Sequence, residues 1–204
     1  MKKIRSFIIS LFRQKSVKFS EEMAFEAELG ARLRKFEKRK IYKVLSPKII
    51  NTIADDDLEQ AIIDYIDVKV GKNYHNQYQI VTSMSKGFQA IYTTWWVEAE
   101  VNNGGFDQYF FNSTQQFALE ALEGFIEIGA VRNATLMGKA IQIAIRKVPE
   151  MKKYREEGAL DAFSETYKTT ELTQLDDEFF EYPEDLSRLR IDYIRRNLDL
   201  FCDL

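Results

Sequence analysis

Apolar side chains recur every three to four residues over most of this chain, and that spacing predicts helices. At the start, Ile4, Phe7, Ile8, Leu11 and Phe12 make one apolar face, flanked by Lys2, Lys3, Arg5, Arg13 and Lys15. A second helix is expected over 21–45, with Ser20 as its N-cap and Pro47 as the break beyond it. Asp55-Asp56-Asp57 opens the next, where acidic groups meet the positive end of the helix dipole. Leu58, Ala61, Ile62, Tyr65 and Ile66 form its stripe, and Gly71 ends it. The longest apolar run covers 78–102, through Ile80, Met84, Phe88, Ile91, Trp95 and Ala99, and Gly104-Gly105 stops it. Ser113 and Gln116 read as a capping box for a helix over 114–129. Further helices are expected at 134–148 (closed by Pro149), 159–167 and 184–200, with Asp176-Asp177-Glu178 as an acidic connector. No segment alternates as a strand does. The expected fold is all-α, a single compact multi-helix domain with an N-terminal basic amphipathic helical arm.

Composition sharpens this in three ways. The 204 residues are 45% hydrophobic with only three prolines and nine glycines, which suits long helices around a sizeable core. Residues 1–50 hold fourteen Lys/Arg against five Asp/Glu, and 51–204 hold fifteen against twenty-seven. The boundary is therefore expected near 50, between a basic arm and an acidic body. Cys202 is the one cysteine and His75 the one histidine, so no internal disulfide, histidine-based metal site or Ser-His pair is expected. No cofactor is expected either. A lone cysteine fits a reducing, cytoplasmic setting.

Three candidate chemistries are weighed on residue type. The arm at 1–15 can lie on an anionic membrane surface, but its apolar core is too short for a signal sequence, and docking on the body is the plainer reading. The basic run Arg32–Lys40 can meet phosphates, yet it lacks interleaved aromatics and the chain's pI is near 5.4, which argues against direct nucleic-acid binding. Asp55, Asp56 and Asp57 lack the spacing and glycine of a calcium loop.

One stretch spends residues that packing alone does not require. Glu100 to Asn112 reads E-V-N-N-G-G-F-D-Q-Y-F-F-N. Gly104 and Gly105 permit a sharp turn, Phe106, Tyr109 and Phe110 anchor it, and Asn102, Asn103 and Asn112 can bond the backbone groups it frees. An alternative gives this corner chemistry: Glu100, Asp107 and Gln108 as a carboxylate cleft of a small hydrolase-like enzyme, with Glu98 nearby.

The block Asn103-Gly104-Gly105-Phe106-Asp107-Gln108-Tyr109-Phe110, with Glu100 before it and Asn112 after it, resembles the signature of a bacterial all-helical domain family. That family is largely of unknown function, and its named member is a DNA-mimic protein. Ala121-Leu122, Ile128-Gly129-Ala130 and the late Tyr193, Asn197 and Phe201 add to the likeness, which spans about 57–201. The resemblance implies an all-helical homodimer whose carboxylates imitate a phosphate backbone toward a basic, DNA-binding regulator of transcription; on the residues themselves, no catalytic group is expected. On it, the candidate acidic surface comprises Asp55, Asp56, Asp57, Glu59, Asp64, Asp176, Asp177, Glu178, Glu181, Glu184 and Asp185.

Overall fold

A computed structural model describes residues 23–72, 74–157 and 171–202, with the backbone alone for 147–157. All the regular structure among these residues is helical. The chain divides into two compact units, Met1–Ile41 and Tyr42–Leu204. In the first, helix α1 covers residues 23–37, and the arm at 1–15 and Ser20 lie outside the described residues.

The second unit begins nine residues before the boundary that charge suggests. Leu45 and Ile50 are buried in its core, so apolar burial, not charge, sets the edge. Pro47 starts a helix instead of marking a break. Ser46 caps the short α2 (Pro47–Ile50) by accepting the Ile49 N–H, and proline sits at the first turn, where its missing N–H costs nothing. Helix α3 (Asp55–Val70) has its three aspartates in the first turn and ends at Gly71.

The apolar run expected over 78–102 is two helices. Helix α4 (Gln77–Ser83) ends at Met84, and Ser85 precedes α5 (Lys86–Phe111). Gln89 donates to the Thr82 and Met84 carbonyls, which satisfies the groups that this break frees. Helix α5 is central, packing on α3, α6 (Ala118–Ile128) and α8 (Thr173–Phe180). It does not stop at the glycine pair; it kinks there and resumes to Phe111.

The capping box does not form. Ser113–Phe117 is a 3₁₀ turn, and α6 starts after Phe117 without a side-chain cap. Gly129, left-handed at φ 83°, ends α6 and folds the chain into a hairpin with α7 (Val131–Glu157), which runs past Pro149. The helix expected at 159–167 lies outside the described residues. The acidic connector is itself helix α8, and the last helix is shorter than expected: α9 (Leu186–Arg196), followed by a 3₁₀ turn at Leu198–Phe201. Among the described residues no helix is long and apolar enough to cross a membrane.

Candidate functional site

The corner is built from two carboxylates, one on each side of the glycine pair. Gly104 is extended at φ −170°, open to any residue, whereas Gly105 at φ 73° and ψ −179° lies in the region that favours glycine. The kink leaves the Phe106 N–H without its helical acceptor, and Asp176 Oδ1 takes it at 2.7 Å from α8. The fit is tight, because a Cβ on Gly105 would come within 2.5 Å of Asp176 Oδ2. Phe106 packs edge-on against Phe179 with centroids 5.8 Å apart, so α8 is held both by an apolar contact and by a charge-assisted bond. Asn102 adds a third tie, donating to the Tyr182 hydroxyl at 2.6 Å. Asn103 is exposed.

Glu100 secures the other side. Its Oε2 accepts from Gln108 Nε2 at 2.9 Å and Asn112 Nδ2 at 2.7 Å, and Oε1 meets Thr114 Oγ1 at 3.5 Å. The buried carboxylate thus bridges both halves of the kinked helix and the turn after it. Glu98 leaves the helix on another side, toward Arg190 of α9. Tyr109 and Phe110 fill the core beneath, in an edge-on pair at 5.2 Å. The Tyr109 hydroxyl is buried with no hydrogen-bond partner among the described residues, and burial, with the charges of Glu120 and Glu100, keeps it protonated well above the ordinary phenol range.

Asp176 is 8% exposed, and burial pushes its pKa up to about 6, against the pull of the Phe106 N–H and with help from Asp107 and Asp177. A raised folded-state value means that the protonated form is the one folding favours. The group's contribution is fully present below its unfolded value of 3.8 and lost as pH rises through about 6. Between pH 4 and 7, wild type should therefore lose up to about 3 kcal/mol relative to Asp176→Asn, a variant that does not titrate. Urea unfolding of both proteins across that range measures this, and a difference that stays flat would show the carboxylate to be solvated.

The eleven acidic candidates fall into two groups. Asp55 is bonded to Arg195 at 2.8 and 3.0 Å and pairs with Arg188, and chiefly the Arg195 bond holds its carboxyl below the usual range. Glu59 pairs with Arg190 at 3.0 Å, and Asp64 is buried and accepts from Gln60. Glu184 reaches across 51 residues to accept the Arg132 and Asn133 N–H groups at the start of α7, acting as its cap. Burial works to raise its pKa, but those two bonds, the Asn133 side chain and the Arg132 charge outweigh it and leave it lowered. Asp185 caps α9 through the Arg188 N–H. With Asp176, and Asp64 included, six of the eleven thus serve the fold through polar contacts. Asp56, Asp57, Asp177, Glu178 and Glu181 are exposed, the last three together on α8 and its C-terminal end.

Sequence reasoning missed Asp176, Thr114 and Tyr182 as partners of the corner. They lie 14 to 80 residues from the groups they meet, and no local pattern marks them. It also missed Arg190, a cation on the buried stripe of α9. Among the described residues no group of three or more His, Cys, Asp or Glu side chains is arranged to hold a metal ion.

No curated protein and no solved structure gives a significant match to the chain. The sequence profile of the DMP19-like protein family matches residues 82–197, more than half of the chain, and that span takes in the corner, the α6–α7 hairpin and helices α8 and α9. The chain belongs to the DMP19-like protein family.

Proposed function

We propose that this protein acts through protein–protein contact, presenting the acidic outer face of α8 to a basic partner such as the DNA-contacting surface of a regulator. The observation that carries this reading is the cluster Asp177, Glu178 and Glu181, exposed and without an ion pair or hydrogen bond among the described residues. Unpaired carboxylates on a rigid helix keep their attraction for lysine and arginine, whereas those already bonded internally have spent it. The ties from Asp176, Phe179 and Tyr182 to the corner supply that rigidity. The charge of the unit supports the same view, since residues 42–204 hold 27 Asp/Glu against 17 Lys/Arg. On this reading the corner is structural, and the competing surface is narrower than eleven carboxylates.

The test compares the wild-type chain with Asp177→Asn/Glu178→Gln/Glu181→Gln as bait in capture from native cells, at low and at high salt. A partner rich in lysine and arginine should be held by wild type at low salt, and lost both at high salt and with the neutralised bait. Capture of the same proteins by both baits would overturn the reading.

A further inference from the structure

Helix α1 carries an apolar face that none of the described residues covers. From 23 to 38 every residue except Gly30 is exposed, and Phe25, Leu29, Leu33 and Phe36 keep 46–66% of their surface. On the helical repeat these four fall within an arc of about 80°, and Phe25 and Phe36 stand about 16 Å apart along the axis. A helix this short, with Gly30 at its centre, is marginal in water on propensity alone. It needs a surface to lie on, and four aligned large apolar side chains mark the side that meets it.

Charge decides what that surface is. Six of the nine residues from Arg32 to Lys40 are Lys or Arg, and one is acidic. Arg32 borders the apolar arc on one side, bonded to Glu28 at 2.7 Å, with Lys35 beyond them. Glu26 and Glu37 border the other side. The cations thus gather on one edge and at the C-terminal end. There Arg39 donates to the Phe36 carbonyl at 2.7 Å and holds its guanidinium 3.5 Å from the Phe36 ring centroid, which sets a charge at the very end of the apolar face. We propose that α1 lies along an anionic membrane surface, with Phe25, Leu29, Leu33 and Phe36 among the acyl chains and the basic run at 32–40 among lipid phosphates. The long stems of lysine and arginine let their charged heads stay at the phosphates while the apolar face sinks below. Rolled toward its Arg32 edge, the helix keeps Glu26 and Glu37 in water. A nucleic-acid backbone would engage the same cations but leave four apolar side chains in water, so it fits this face less well. Helix α1 lies outside the family match at 82–197, and the inference is independent of the acidic face of α8.

Co-sedimentation of the full chain with phosphatidylcholine vesicles, with and without phosphatidylserine, tests it. Wild type should bind the mixed vesicles at low salt, loosen as salt rises, and bind pure phosphatidylcholine about tenfold or more weakly. Leu29→Gln/Leu33→Gln, which keeps good helix formers in place, should cut binding to the mixed vesicles about tenfold or more. Arg34→Gln/Lys35→Gln/Lys38→Gln should do the same. All five positions are exposed, so both variants should unfold thermally as wild type does. A loss caused by the leucine pair assigns the binding to α1 and not to the apolar side chains at 1–15. A wild type that stays in the supernatant overturns the proposal, and so does vesicle binding indifferent to the leucine pair. A short DNA duplex bound alike by wild type and the leucine variant, with no vesicle binding, would give the basic run to nucleic acid and overturn it as well.

Discussion

Gly105→Ala should destabilise the protein by about 3–5 kcal/mol, while Gly129→Ala should cost only about 1–2 kcal/mol. Both glycines have positive φ, at 73° and 83°. The difference lies in what a methyl group would meet. At Gly129 an added methyl would meet nothing within 4 Å among the described residues beyond its own stretch of chain, so only backbone strain is added. At Gly105 the methyl would fall 2.5 Å from Asp176 Oδ2 and 2.9 Å from its Cγ, and the carboxylate must leave. Its departure strands the buried Phe106 N–H, which adds a desolvation cost of about 1–3 kcal/mol to the strain. The combined loss corresponds to a fall in Tm of roughly 10 °C for a chain of this size. Thermal unfolding of the two variants side by side is the measurement. Equal losses would mean that contact with Asp176 contributes nothing and that the corner is held by its backbone alone.

This comparison also shows which parts of the fold were legible. Gly71 and Gly129 end helices as expected because a left-handed or open stop is a local affair, settled within a few residues. Gly104-Gly105 looks the same in sequence and behaves differently. Glu100 bonds Gln108 and Asn112 across the break, so the helix resumes instead of stopping. Asp176 had read as part of a hydrophilic connector, since consecutive carboxylates ordinarily seek water. Burial in α8 became tolerable because the kink offered an N–H 70 residues away. The same limit applies to the acidic surface: composition counted eleven carboxylates but could not tell Glu184, spent on capping α7, from Glu178, which faces solvent. Helix periodicity is written locally; the assignment of each charge to the fold or to a partner is written in contacts between distant helices.

Arg190 poses that question most sharply, and its replacement is the second large effect expected. Leu186, Arg190, Tyr193 and Ile194 form the buried side of α9, and the arginine side chain is 1% exposed among them. One of its terminal nitrogens, Nη2, bonds Glu59 of α3 at 3.0 Å and also Glu98 of α5. Its Nε and Nη1 are buried with no hydrogen-bond partner among the described residues. Such a site gains its Coulomb attraction against a heavy desolvation cost, so the triad adds little net stability over an apolar filling, yet breaking it is expensive. Arg190→Met should cost about 3–5 kcal/mol, because it leaves two carboxylates facing each other with little water to screen them. Adding Glu98→Gln to Arg190→Met should recover more than half of the loss by removing the repulsion. Arg190→Lys should cost much less than Arg190→Met, since it keeps the charge and removes the two nitrogens whose N–H bonds have no acceptor. Urea titration of the three variants separates these terms. A loss under about 1 kcal/mol for Arg190→Met would mean that the glutamates relax into solvent or protonate, and that the three helices are joined by apolar packing alone. If the loss is large and Glu98→Gln repairs it, the arginine fixes the mutual placement of α3, α5 and α9 through charge.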